Sequence, residues 1–258
     1  RPPRSPLFPY TTLFRSYPGC GSERLHADIG LASIHLLLRA GVRVVLPPRS
    51  LCCGFPARAN AKRDLANRQA LRNTIVFNQI RAMLGHLDFD ACVVSCGTCR
   101  ESLVQGNTAD IFGAPLVDIC AYVLDRGLDA TLSGAIRYHA PCHDSLDGRG
   151  AALLSRVAPE GVEPVPHCCS EAGTLALSRP DIAAAMLARK RERLGDRPDR
   201  SSDPRPLVTN CPACLNGLGR QQGERPKHLA VALAEALDGR AWRDEVTARL
   251  ASAEPIRF

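Results

Sequence analysis

Ten of the twelve cysteines follow one pattern, and the pattern occurs twice. The first copy runs Cys20, Cys52-Cys53 and Cys96-Gly97-Thr98-Cys99; the second runs Cys142, Cys168-Cys169 and Cys211-Pro212-Ala213-Cys214. The gaps are 31 and 42 residues in the first copy, 25 and 41 in the second. Five thiols per copy, with one adjacent pair and one CxxC, exceed what packing needs and point to metal or redox chemistry. Any fold for this chain must bring distant segments of each half to a common place.

Three other uses of sulfur compete. Buried free cysteine is a good small core residue, but that does not account for a repeated C, CC, CxxC order. A disulfide framework suits an oxidising compartment and a chain short of core. Here 258 residues at 45% hydrophobic content can bury ample core. Zinc takes four ligands at tetrahedral angles, commonly from two CxxC-like knuckles, and a lone CxxC is shared with thiol oxidoreductases. Adjacent residues have Cα atoms about 3.8 Å apart and diverging side chains, so a Cys-Cys pair suits two metal atoms better than one. Iron–sulfur clusters offer several irons close together, with thiolate as the usual ligand.

Residues 42–46, 92–95, 136–139 and 207–209 are short apolar runs that read as parallel strands of an α/β fold. Each cysteine group then lies near a strand carboxyl end, where open α/β sheets place ligands. Helices are expected over residues 22–40, capped by Ser22 and stopped by Gly41, and over residues 61–84. A third is expected from Ser178, with Asp181 closing a capping box, to Gly195. Helix amino ends suit an anionic thiolate-bound cluster.

The offset from Cys96 to Cys211 is 115 residues and from Cys52 to Cys168 is 116, and Leu103 matches Leu218. We read a duplication: α/β, two tandem pseudo-symmetric lobes with short parallel sheets flanked by helices. The expected boundaries are a first domain at 17–130, a second at 131–240 and a C-terminal tail at 241–258. The connector is expected at residues 125–134, which hold Gly127, Ser133 and Gly134.

His139 and His143 flank Cys142, and His167 precedes Cys168. With five thiols available per copy, these histidines are expected to hydrogen-bond cluster sulfurs or backbone and tune potential, although histidine replaces cysteine on some clusters. Cys92 and Cys120 fall outside the repeat and read as core. The net charge of +7 includes three arginines in the first sixteen residues. There is no block of basic residues and little aromatic interleaving, which argues against nucleic-acid binding. Arg189-Lys190-Arg191 reads as the solvated side of a helix. No apolar run approaches the ~18 residues of a membrane span, and no GxGxxG turn or P-loop is present.

The strings Cys52-Cys53-Gly54-Phe55-Pro56, Ser95-Cys96-Gly97-Thr98-Cys99, Tyr138-His139-Ala140-Pro141-Cys142-His143, Cys168-Cys169-Ser170-Glu171-Ala172-Gly173-Thr174 and Asn210-Cys211-Pro212-Ala213-Cys214 resemble the cysteine-rich CCG family. That family includes the cysteine-rich component of heterodisulfide reductase and the iron–sulfur subunits of glycolate and lactate oxidases. Gly19-Cys20-Gly21-Ser22-Glu23-Arg24-Leu25 and residues 173–182 are similar to the carboxyl-terminal part of fused FAD-linked D-2-hydroxyglutarate and D-lactate dehydrogenases. The second pair departs from the family by placing Ser170 where glycine is more usual, which bears on the loop's backbone angle.

The resemblance implies iron–sulfur clusters, one per lobe and of the 4Fe–4S type, on the ten repeat cysteines. A cubane on four thiols and a noncubane arrangement on five are both compatible. It implies FAD on an upstream domain, with flavin and ferredoxin-type domains or subunits as partners and a quinone or similar acceptor. It also implies a cytoplasmic location, or one peripheral to the inner membrane face. On this reading the chain is an oxidoreductase fragment, inactive alone, that relays electrons. Disulfide reduction at a cluster and a zinc-stabilised binding module are the alternatives. Residues 1–16 are expected to be a non-native leader, because residues 7–16 look like a translated sequencing adapter; a genuine Pro/Arg-rich leader is the competing reading.

Overall fold

The computed structural model describes residues 13–17, 19–171, 174–194, 205–220 and 224–253. The first lobe contains β1 (Leu13–Tyr17), α1 (Ala27–Arg39), β2 (Arg43–Val45), α2 (Phe55–Ala59), α3 (Arg63–Met83), β3 (Phe89–Val94), α4 (Gly97–Gln105), α5 (Thr108–Phe112), β4 (Leu116–Asp118) and α6 (Ile119–Asp125). The second contains β5 (Ile136–His139), α7 (Gly150–Val157), β6 (Val162–Pro164), α8 (Leu175–Ser178), α9 (Pro180–Leu194), β7 (Leu207–Thr209), α10 (Pro212–Gly219), β8 (Lys227–His228), α11 (Leu229–Asp238) and α12 (Trp242–Ala251).

Each lobe is built on a four-stranded sheet, and the strand orders β2-β1-β3-β4 and β6-β5-β7-β8 are the same permutation. Every pairing is parallel, as helical crossovers require. The duplication inferred from cysteine spacing is therefore a duplication of topology. Leu103 and Leu218 are both buried, and Cys92 and Cys120 pack in the core as expected.

Local details differ from expectation. Residues 13–16, expected in the leader, supply four of the five residues of β1, which pairs on both sides. The first expected helix is two pieces: a wide π-type turn spans Gly21–Leu25, His26 leaves helical angles at φ −134°, and α1 begins at Ala27. Ser22 is no cap; it is buried and its hydroxyl bonds that of Ser95 at 2.9 Å. Gly41, at φ +74°, does end the helix.

Ser178 also fails to cap. Its hydroxyl donates to the carbonyls of Thr174 and Leu175 at the end of α8, and Asp181 pairs with Arg179 instead. Gly195 lies outside the described residues. The expected tail folds as α12, which packs on α1 with Trp242 fully buried. The connector runs from the end of α6 to β5 with Ala130 and Leu132 buried in the shared core.

The lobes share one apolar interior. Helix α1 packs on α6, α11 and α12, so residues from both halves enter a single cluster. At the sheet ends the backbones nearly touch. A Cβ on Gly97, first residue of α4, would lie 1.6 Å from the carbonyl oxygen of His143 in the other lobe. Across the pseudo-dyad the relation repeats, since a Cβ on Gly21 would meet Pro212 at 3.1 Å. Polar bonds close the same seam: His228 Nε2 to Ser95 O at 3.0 Å, His26 to Asn216 at 3.0 Å, and Ser145 to Asp118 at 2.5 Å. Gly97→Ala is expected to force the lobes apart and cost about 3 kcal/mol, read by chemical denaturation. An alanine variant as stable as the parent would show that this contact is slack.

Candidate metal centre

Every repeat cysteine follows a strand. Cys20 and Cys142 come shortly after β1 and β5, and the Cys52-Cys53 and Cys168-Cys169 pairs come after β2 and β6. Cys96 and Cys211 follow β3 and β7 and are the extended residues that open α4 and α10. Cys99 and Cys214 sit in the first turns of those helices. Parallel sheets of one strand order aim all these carboxyl ends at the seam between lobes.

There the ten sulfurs form one line. Cys20 adjoins Cys52 at 3.6 Å. Cys52 neighbours Cys53, Cys53 neighbours Cys99, and Cys99 neighbours Cys96. Cys96 then neighbours Cys211 of the second lobe in one buried cluster. The line continues through Cys214, Cys169 and Cys168 to Cys142. All twelve cysteines are free thiols. The six inner repeat cysteines are buried, Cys20, Cys52 and Cys168 are half-buried, and Cys142 is exposed.

So many adjoining thiols cannot ionise together. In the hydrogen-bonded pairs Cys20–Cys52, Cys142–Cys168 and Cys211–Cys96 the bond favours the thiolate on Cys52, Cys168 and Cys96. Cys20 and Cys142 are pushed up by those same bonds, and Cys53 and Cys169 are raised chiefly by Cys52 and Cys168. Backbone N–H groups assist the thiolates: Gly54 N donates to Cys52 Sγ at 3.5 Å, Ser170 N to Cys168 Sγ at 3.3 Å. A buried, crowded set of sulfur donors fits a multi-iron cluster, whose cations would neutralise the thiolates.

The loop after each pair keeps its shape. Gly54 has φ +82° and Ser170 φ +64°, so serine takes on a left-handed backbone that glycine adopts freely. Its hydroxyl is buried without a partner among the described residues.

Only one of the three expected histidines turns its ring into the site. A ring nitrogen of His139 lies within 4.8 Å of the Cys169 and Cys214 sulfurs. Burial, then the charge of Lys190, lowers its pKa to about 4, so the ring is neutral. His143 sends its imidazole to Glu101 at 2.5 Å and stacks edge-on against Phe55, clasping the lobes; its backbone N–H serves Cys142. His167 is exposed beside Cys168, at the edge of a cavity of about 410 Å³ that also reaches Cys142.

Two residues beside the sulfurs escaped the sequence reading. Tyr17 is buried with its hydroxyl unpartnered among the described residues; burial first, then the neighbouring Cys99 and Cys53, holds that hydroxyl protonated. Lys190 is not on a solvated face but fully buried. Its ammonium bonds His167 O at 2.7 Å, Pro166 O at 2.9 Å and His139 Nδ1 at 3.0 Å. Burial lowers its pKa to about 8. Tyr17 was findable, because it stands three residues before Cys20 as His139 stands before Cys142. Lys190 was hidden by its arginine neighbours.

Residues 14–103 and 136–219, more than half the chain, match the cysteine-rich CCG domain, once in each lobe. The chain belongs to the CCG cysteine-rich domain family. Among curated relatives it is 25% identical over 209 residues to one subunit of the fumarate reductase (CoM/CoB) of Methanothermobacter marburgensis, covering 77% of this chain and 40% of that one. It is 22% identical over 244 residues to lactate utilization protein A of Bacillus pumilus, covering 86% and 97%. It is 22% identical over 249 residues to the probable glycolate oxidase iron-sulfur subunit of Bacillus subtilis, covering 86% and 53%. This CCG chain thus spans about two fifths of the fumarate reductase subunit and about half of the glycolate oxidase subunit. Among the described residues no helix is long and apolar enough to cross a membrane.

Ser170→Gly is expected to relieve left-handed strain and an unpaired hydroxyl, raising stability by about 1 kcal/mol. Thermal unfolding should then rise by about 2–4 °C; a fall would show that the serine hydroxyl contributes to the loop.

Proposed function

We propose that this chain is the iron–sulfur electron-transfer part of an FAD-linked 2-hydroxy acid dehydrogenase. Each lobe would hold one 4Fe–4S cluster: Cys20, Cys52, Cys53, Cys96 and Cys99 in the first, and Cys142, Cys168, Cys169, Cys211 and Cys214 in the second. The observation that carries the reading is the unbroken line of ten free sulfurs across the seam. When bound, such clusters take up and release one electron at a time, linking a two-electron flavin to an acceptor.

The chain's own part is to hold and tune. The backbone N–H groups of Gly54 and Ser170 and the unpartnered Tyr17 hydroxyl and His139 Nε2 are placed to solvate negative sulfur. Burial of the inner six cysteines excludes water, and the exposed end at Cys142 offers an outlet. The flavin would reside on an upstream domain or separate subunit, and the acceptor would be a quinone or similar carrier. The setting would be cytoplasmic, or peripheral to the inner membrane face. Similarity to the fumarate reductase (CoM/CoB) protein favours disulfide reduction at the seam as the second reading; hydroxy-acid turnover with added flavin partner separates the two.

Anaerobically purified protein is expected to be brown and to contain iron and acid-labile sulfide. Colourless protein carrying zinc would sink the proposal. Cys99→Ser and Cys214→Ser should each remove about half of the iron and sulfide, since each empties one lobe. Chelation of the metal is expected to lower the unfolding temperature, because binding energy of the ligands is folding energy. An unchanged transition would mean the sulfurs hold no structural metal.

A further inference from the structure

Lys190 extends the cluster reading, on which this inference rests. Its ammonium has three N–H donors and, with no solvent contact, three acceptors: His167 O, Pro166 O and His139 Nδ1. An ammonium only donates. His139 Nδ1, which also lies 3.3 Å from Val165 O, therefore accepts from the nearer ammonium, and the ring proton sits on Nε2, which has no partner among the described residues. His139 can then offer the sulfurs an N–H but no lone pair for iron.

The first lobe has the same donor in another form. Tyr17 stands where His139 stands, with its buried O–H unpartnered beside Cys53 and Cys99, as His139 is beside Cys169 and Cys214. Among the described residues the first lobe shows no buried cation beside its sulfurs. Its nearest counterpart to Lys190 is the buried, neutral Asn73 on α3, whose Nδ2 donates to Cys52 O at 2.9 Å. Arg24 approaches Cys52, but it is exposed and bonded to Ser50, so solvent screens it.

We propose that Lys190 is a positioning residue that holds His139 as a sulfur-facing N–H donor and makes the second lobe the electron-accepting end of the relay. Reduction adds negative charge to a thiolate-bound centre, and a buried cation nearby stabilises that charge far more than an exposed one does. With a cluster in each lobe, an electron passing between them would leave the first lobe's centre oxidised by one and the second lobe's centre reduced by one. That second lobe also carries the exposed Cys142 and the cavity shared with Cys168, where a carrier could collect electrons.

The test is an EPR-monitored redox titration of the iron-loaded full chain, with iron and sulfide measured first. Wild type should show two waves at different potentials. Lys190→Met should lower only the higher wave, and Tyr17→Phe only the lower one. A single wild-type wave, or a Lys190→Met protein with full iron whose higher wave is unmoved, overturns the proposal while leaving the cluster reading intact. Absence of iron from wild type overturns both. If Lys190→Met fails to load, pulsed EPR of wild type carrying 15N-histidine decides. Weak coupling of a hydrogen-bonded nitrogen is expected; strong coupling of a coordinated nitrogen refutes the tautomer assignment.

Discussion

The approach of Cys96 to Cys211 is where the two halves become one site. Each sulfur belongs to the residue that opens a helix after a central strand. Their meeting requires the two sheets to face each other end to end. Crowded sulfur does not favour this by itself, because adjoining thiolates repel and buried charge is costly. The arrangement is imposed from elsewhere, by the shared apolar packing of α1, α6, α11 and α12 and by the absence of side chains at Gly97 and Gly21. The thiols are left in a state that metal cations would relieve.

The symmetry of the frame makes its departures informative. Strand order, cysteine order and the left-handed loop after each pair repeat closely. Against that repeat, Tyr17 faces His139, Gly54 faces Ser170 and Asn73 faces Lys190. The first exchange keeps a buried hydrogen-bond donor beside the inner sulfurs. The second keeps a backbone angle and its N–H···S bond at the expense of strain. The third changes the charge. Two lobes of the same topology thereby offer their sulfurs unequal electrostatic surroundings.

Much was legible in the residues, and for identifiable reasons. Strands at 43–45, 136–139 and 207–209, and the second half of the strand at 89–94, showed as β-branched or apolar runs, and the repeated cysteine spacing exposed the duplication. Ser22 and Ser178 misled because a serine before an apolar stretch has several possible partners. Only the fold reveals that Ser22 bonds Ser95, which follows β3, and that Ser178 bonds back into its own turn. His143 looked like a neighbour of sulfur because it adjoins Cys142 in sequence, yet its ring crosses to Glu101 of the other lobe.

Local chemistry alone determined which atoms are available: ten thiols in two matched sets, on loops after parallel strands, with too much apolar content to need disulfides. Tertiary structure decided which of these atoms meet. Covalent order places Cys96 and Cys211 115 residues apart, and nothing in either neighbourhood encodes their contact. Likewise Lys190 shares a helix with residues that face water, and its burial follows from how α9 settles over Pro166, His167 and His139. Short-range preferences set the elements, whereas juxtaposition across the seam is a property of the packed whole.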